Sequence, residues 1–142
     1  MPSSDNESYG KMKQFERGET YDYVHVCETH ESQNPILTSG LNSCTAIGFS
    51  DTEGNNYLIH GSNVIPKGNH VEDDVVYYLE ANPGIEINPG GVHVVMGTGG
   101  TEKYTLDEYL EANHPDVPVA RSSYTDHMSF KHRTRPGDHY VG

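Results

Sequence analysis

Two short apolar segments that flank a turn constrain the fold of this chain more than any other feature of its sequence. Residues 44–49 and 57–60 are rich in small, β-branched and aromatic side chains, and residues 51–56 between them include the turn-forming pair Gly54 and Asn55. Strands joined by so short a turn pair as antiparallel neighbours. The sequence therefore predicts a β-hairpin that brings the outer ends of the two segments together.

The rest of the chain predicts two helices and several short strands around this hairpin. Helical spacing of apolar residues occurs at residues 71–81, and a capping box formed by Thr105 and Glu108 predicts a second helix over residues 105–112. Residues 28–35 are polar and predict a loop. Further strand patterns occur at residues 21–27, 92–96, 117–120, 128–133 and 139–141, and a short apolar run begins at residues 36–37. This order indicates an α/β or α+β class: a single-domain sandwich of a mixed or antiparallel sheet with two covering helices.

The length and the apolar content indicate one domain with no membrane insertion. A chain of 142 residues fits a single core; we expect residues 1–18, which are polar and irregular, to form a flexible tail, and residues 19–142 to form the domain. No segment reaches the roughly 20 apolar residues of a membrane helix. Because the N-terminus lacks a signal-peptide core, we expect a cytoplasmic protein, or an exported effector without a recognisable signal.

The charge balance excludes nucleic acid as an expected partner. The chain has 21 acidic and 9 basic residues and a net charge of -12, which repels phosphate backbones and anionic lipid surfaces. Such an excess of acid suits either a high-salt cytoplasm or an ordinary protein that its charge keeps in solution, and the sequence leaves both open. It also leaves the oligomeric state open.

Cys44 and His60 stand at the outer ends of the predicted hairpin and form a candidate catalytic pair. A turn centred near residues 52–55 places them at similar heights, where facing Cβ atoms lie about 5 Å apart. A free thiol has a pKa of about 8.5, but a neighbouring imidazole can remove its proton and stabilise the thiolate. The alternative is a buried structural Cys and an unrelated surface His.

Two further positions would complete such a site. The imidazole needs a group that fixes its orientation, and Thr38 is the nearest polar candidate in this stretch of the chain. Backbone N–H groups in a loop of small residues can bind a developing oxyanion, so those of Ser43 and Cys44 are the candidate donors.

The segment around Cys44 resembles a known enzyme family. Residues 36–51 read ILTSGLNSCTAIGFSD and resemble the CheD chemoreceptor glutamine deamidases, in which a Thr precedes a Gly-Leu-Gly-Ser-Cys-like loop and a His follows after a hairpin. The same Cys–His core occurs in the cytotoxic necrotizing factor toxins. The resemblance implies a protein-glutamine deamidase that acts on a protein substrate presenting a Gln side chain, with Cys44, His60 and Thr38 as its catalytic residues.

Two departures from the family pattern concern the substrate rather than the chemistry. Asn42 stands where the family has a Gly, and residues 61–63 read Gly-Ser-Asn where the chemotaxis members have an apolar run that ends in Pro. The resemblance therefore leaves the identity of the substrate protein open. The alternatives are a non-catalytic protein-binding module of the same fold and a cysteine hydrolase of another amide.

The remaining polar clusters have simpler explanations. His25, Cys27 and His30 include good zinc ligands, but His30 lies beyond the predicted strand and nine His in the chain make chance clusters common. We therefore predict no metal and no cofactor. The acidic run at residues 72–74 opens the first predicted helix, where negative charge interacts favourably with the helix dipole. Two Cys in a chain without a signal indicate reduced thiols.

Overall fold

The computed structural model describes residues 22–23, 28–33, 36–38, 43–63, 70–97, 103–123, 130–132 and 139–141. The strands are β1 (Asp22–Tyr23), β2 (Glu28–Ser32), β3 (Ile36–Thr38), β4 (Cys44–Ser50), β5 (Asn56–Ser62), β6 (Val92–Met96), β7 (Val119–Ser123), β8 (Phe130–His132) and β9 (His139–Val141). The helices are α1 (Val71–Ala81) and α2 (Thr105–Asn113). The predicted α+β class, a mixed sheet with two helices, is confirmed.

The strands form two sheets. The larger sheet has the order β2-β5-β4-β6-β7, and all of its pairs are antiparallel except β6 with β7. The smaller sheet has the order β1-β3-β8-β9. Strands β3 and β8 of the smaller sheet lie against β4 and β5 of the larger one. The predicted hairpin is therefore the centre of the larger sheet and faces the second sheet.

The turn of the hairpin is closed by one carboxylate. Asp51 accepts hydrogen bonds from the backbone N–H groups of Glu53 and Asn55, both at 2.9 Å, and from the Tyr57 hydroxyl at 2.7 Å. Burial alone would raise the pKa of Asp51, but the bonds from Asn55, Tyr57 and Glu53 outweigh it and the pKa is lowered. The charged form of Asp51 therefore favours the turn that aligns β4 with β5.

The helices cover the face of the larger sheet that lies away from the second sheet. Val71, Val75 and Leu79 of α1 are buried, as the helical spacing predicts. They pack with a cluster drawn from the sheet, from α2 and from the segment between α1 and β6: Ile47, Phe49, Tyr57, Ile59, Ile87, Val92, Val94, Met96, Leu106 and Leu110. At Gly61 a Cβ atom would lie only 2.7 Å from Val71 Cγ2. The start of α1 can approach β5 this closely because residue 61 has no side chain.

Some sequence-based assignments differ from the structure; the strand predicted over residues 57–60 spans Asn56–Ser62. Residues 28–35 were predicted as a loop, but Glu28–Ser32 forms β2, an edge strand paired with β5 along its whole length. Its polar side chains are tolerated because an edge strand buries little of its surface. Strand β7 spans Val119–Ser123, later than the predicted residues 117–120.

The predicted capping box at α2 is also wrong. The N-cap is Tyr104, whose φ of 61° is left-handed and whose side chain makes no capping hydrogen bond. Thr105 is the first helical residue, and its hydroxyl donates to Asp73 of α1 at 2.7 Å. A contact between two helices has therefore replaced the local cap that the sequence favoured.

Some predictions concern residues outside the described ranges. These are the predicted tail at residues 1–18, residues 21, 24–27, 128–129 and 133 of two predicted strands, and His25 and Cys27 of the possible zinc cluster. The division into residues 1–18 and 19–142 remains a prediction. Neither α1 nor α2 is long and apolar enough to cross a membrane, and the same holds for every helix among the described residues.

Candidate active site

Cys44 and His60 lie on the face of the larger sheet that is turned away from the helices. Successive side chains of a strand point to opposite faces. Because Ile47 belongs to the core under the helices, Cys44 and Ala46 point to the other side of β4. His60 faces Ala46 across β5 and shares this orientation. Both candidate catalytic residues are thus directed towards the second sheet.

The backbone at Cys44 is fixed on both sides of the strand. The carbonyl of Cys44 accepts a hydrogen bond of 2.8 Å from Gly97 N–H, and the carbonyl of Ser43 accepts one of 2.9 Å from Asn63 N–H. Cys44 is the first residue of β4, is 8% exposed, and carries a thiol that is not in a disulfide. The sulfur therefore lies at a rigid strand end, just below the surface.

The structure places Cys44 and His60 on a diagonal rather than directly opposite each other. Cys44 pairs with Ser62, and His60 pairs with Ala46. Diagonal neighbours on one face have Cβ atoms about 7–8 Å apart, which a long or aromatic side chain can span.

Thr38 contacts His60 from the opposite sheet. Thr38 Oγ1 lies 2.6 Å from His60 Nδ1, and the two residues are 0% and 1% exposed. A hydroxyl oxygen can accept the Nδ1 proton, and in that tautomer Nε2 is the basic nitrogen of the ring. The hydrogen bond orients the ring, and in the tautomer in which Nδ1 donates to Thr38 it leaves Nε2 as the nitrogen available for proton transfer.

We expect the Thr38 hydroxyl to contribute modestly to the reactivity of Cys44. Thr38→Val keeps the shape but removes the hydroxyl, and it should slow alkylation of Cys44 by iodoacetamide at neutral pH several-fold, because one hydrogen bond contributes on the order of 1 kcal/mol. Thr38→Ser keeps the hydroxyl and is the matched control, with a rate close to wild type. Equal rates in the two variants, measured by mass spectrometry on folded protein, would show that Thr38 only packs.

Several buried apolar side chains lie on the same face as the pair. Ile36, Ala46, Leu58 and Val95 are each 0% exposed, and Ile36 lies on the same strand as Thr38. Such a lining keeps bulk water away from the imidazole, so that electrostatic interactions within the site are stronger than in water. The imidazole of His60, which is 1% exposed, is therefore shielded from bulk solvent.

The predicted oxyanion donors lie at the same strand end. Ser43 and Cys44 directly follow residues 39–42, which lie outside the described ranges. The carbonyl of Ser43 accepts a hydrogen bond from Asn63, directly after β5, and that of Cys44 accepts one from Gly97, directly after β6. The role of their N–H groups in binding an oxyanion remains a prediction.

A second histidine on this face was missed by the sequence analysis. His93 of β6 lies opposite Gly48, and its Nε2 is 3.2 Å from the hydroxyl oxygen of Ser122. Burial lowers the pKa of His93. Gly48 is four residues along β4 from Cys44, a distance of about 13 Å at 3.3 Å per residue. His93 is therefore separate from the candidate pair, and no local sequence signal distinguishes it.

The acidic residues at the start of α1 form an ion network that the sequence did not predict. Glu72 is fully buried and accepts a 2.6 Å hydrogen bond from Arg121 of β7, which also bonds both carboxylate oxygens of Asp107 in α2. Burial alone would lower the pKa of Arg121, but the bonds to Asp107 and Glu72 outweigh it and the pKa is raised. Asp73 pairs with Lys103. Glu72 and Asp73 therefore link α1 to other parts of the fold, in addition to interacting with the dipole of α1.

The described residues offer no metal site. Within them no three His, Cys, Asp or Glu side chains are grouped as ligands. His25 and Cys27 lie outside the described ranges, so the predicted absence of a zinc site there stays a prediction.

Comparison with known proteins does not add to this geometry. No protein-family model matches the chain, and no curated protein is similar enough to count as a relative.

Proposed function

We propose that this protein is a cysteine amidohydrolase that deamidates a glutamine side chain of a partner protein. Cys44 is the nucleophile, and His60 is the general base and acid. The observation that supports this most directly is the buried 2.6 Å hydrogen bond between Thr38 and His60, on the sheet face that also presents Cys44. A nucleophile, a base and a group that orients the base are the parts that thiol-dependent acyl transfer requires.

In the first half-reaction the amide nitrogen leaves as ammonia. Nε2 of His60 takes the thiol proton, and the sulfur of Cys44 attacks the carboxamide carbon to form a tetrahedral oxyanion. The intermediate collapses as the C–N bond breaks, and the imidazolium returns the proton to the departing nitrogen. A thioester between Cys44 and the substrate side chain remains.

In the second half-reaction water releases the product. His60, again neutral, takes a proton from water as the hydroxide attacks the thioester carbon. The C–S bond breaks, and the sulfur leaves as thiolate, which regains its proton. The net change is carboxamide plus water to carboxylate plus ammonium, with the free enzyme restored.

The recessed position of the nucleophile favours a side-chain amide over a peptide bond. Cys44 is only 8% exposed and His60 1%, so the reacting group must be slim and must extend from its own backbone. A glutamine side chain carries its carboxamide on a flexible stem of two methylenes. A main-chain amide is flanked by two Cα substituents and would need a wider opening.

The decisive experiment follows the mass of candidate partner proteins. Each partner is incubated with wild-type protein, with Cys44→Ala, and with Cys27→Ala as the matched cysteine control. We expect wild type and Cys27→Ala to convert a specific Gln to Glu, detected by peptide mass spectrometry together with released ammonia. Cys44→Ala should produce neither signal.

Other outcomes distinguish the remaining functions. A partner that binds wild type tightly yet shows no conversion of any Gln would indicate a protein-binding module. Ammonia release from a small amide but from no protein would indicate a cysteine hydrolase of another substrate. Conversion by Cys44→Ala equal to that of wild type would exclude Cys44 as the nucleophile.

A further inference from the structure

Ser62 is the residue that directly faces Cys44 across the hairpin. Their pairing in the β4–β5 register puts both side chains on the face that holds His60. The hydrogen bond from Asn63 N–H to the Ser43 carbonyl identifies Ser43 and Asn63 as a hydrogen-bonded pair. The next pair, Cys44 with Ser62, is therefore of the non-hydrogen-bonded kind, in which Cα atoms approach to about 4.5 Å and side chains are closest.

Burial along β5 places Ser62 at the outer limit of the site. On this face Leu58 is 0% exposed and His60 is 1% exposed, whereas Ser62 is half-buried. Cys44 thus has His60 on its inner diagonal and the Ser62 hydroxyl directly across the strand pair. A hydroxyl on a Cβ about 5 Å from the Cβ of a cysteine can reach the sulfur.

We propose that the Ser62 hydroxyl donates a hydrogen bond to the sulfur of Cys44 and stabilises its thiolate. A hydroxyl is a strong donor to an anionic acceptor, and a hydrogen bond to the charged form of a group lowers the pKa of a thiol. Ser62 would then supplement His60 from the other side of the sulfur. This inference deepens the proposed function and rests on Cys44 acting as a thiolate nucleophile.

The test compares two substitutions of nearly identical shape. Ser62→Thr retains a hydroxyl and Ser62→Val replaces it with a methyl group, and both β-branched residues suit a strand. The rate of Cys44 alkylation by iodoacetamide is measured from acidic to alkaline pH for each folded variant. We expect the midpoint for Ser62→Val to rise by about one pH unit or more, the effect of losing a hydrogen bond to a charged group. Ser62→Thr should stay near wild type.

The control is Ser32→Ala, which removes a half-buried serine on the same face at the far end of the sheet. It should leave the midpoint unchanged. A wild-type midpoint in Ser62→Val, or the same shift in Ser62→Thr, would overturn the role of the hydroxyl. Because alkylation needs no amide substrate, this result is independent of deamidation: failure to convert any Gln, with the Ser62 shift present, would reject only the proposed activity.

Discussion

Replacement of His60 by alanine should lower the rate of ammonia release from a glutamine substrate by about 10²- to 10⁴-fold, the range that one positioned acid–base group contributes. The variant has no group to take the thiol proton or to protonate the leaving nitrogen. Because His60 is 1% exposed, solvent is poorly placed to substitute for it. This loss should exceed the several-fold loss in the same rate that removal of the single Thr38 hydrogen bond would cause.

His93→Ala is the matched control for His60→Ala. Both residues are histidines on the same sheet face, and each has a hydroxyl partner, Thr38 for His60 and Ser122 for His93. His93→Ala should leave ammonia release per folded molecule unchanged, because His93 is remote from Cys44. Circular dichroism on each variant gives the folded fraction by which rates are divided.

The same pair of variants tests the dyad without a substrate. Alkylation of Cys44 near neutral pH should slow in His60→Ala and not in His93→Ala, since only His60 is placed to stabilise the thiolate. If both substitutions slow alkylation equally, or if neither does, Cys44 and His60 do not act as a pair.

Replacement of Arg121 by alanine should lower the free energy of unfolding by about 3–5 kcal/mol, the usual effect of removing one partner of a buried ion pair. Arg121 has a side chain that is 13% exposed, and its partner Glu72 is 0% exposed. Without the guanidinium, Glu72 is left buried without its charge partner, and Asp107 loses both of its hydrogen bonds to Arg121. Helices α1 and α2 also lose their common link to β7.

Urea denaturation, monitored by circular dichroism, measures this change in the free energy of unfolding from the shift of the transition midpoint. Lys103→Ala is the contrasting variant: the Lys103 and Asp73 side chains are 43% and 30% exposed, and such pairs contribute about 0–1 kcal/mol. The double variant Glu72→Leu with Arg121→Leu should recover part of the loss, because no unpaired buried charge remains at residue 72. A single Arg121→Ala variant as stable as Lys103→Ala would mean that the network contributes little.

Local sequence patterns were sufficient to predict those elements whose structure is determined by residues close together in the chain. The hairpin of β4 and β5 follows from two apolar runs and a turn that Asp51 closes through its own near neighbours. Helix α1 follows from the spacing of Val71, Val75 and Leu79. Strand alternation likewise puts Cys44 and His60 on one face once the register of a short turn is assumed.

Tertiary structure alone decided the contacts that cross between elements. Strand β2 forms from polar residues because β5 offers it an open edge, which the composition of the segment does not indicate. Arg121 donates a hydrogen bond to Glu72, which lies 49 residues away in the sequence. The Thr105 hydroxyl, which a local cap would have used, donates to Asp73 instead. The hydrogen bond between Thr38 and His60 joins two different sheets.

The physical reason for this division is the range of the interactions concerned. Periodicity in the sequence indicates which side of a strand or helix is buried, because residues that recur at the period of the element lie on the same face. Periodicity does not indicate which buried polar groups form contacts with each other, because those contacts depend on how whole sheets and helices pack. The sequence by itself therefore determined the hairpin, the first helix and the candidates Cys44, His60 and Thr38. Only the tertiary structure decided the diagonal spacing of Cys44 and His60, the 2.6 Å contact of Thr38 with His60 across two sheets and the pairing of Ser62 with Cys44.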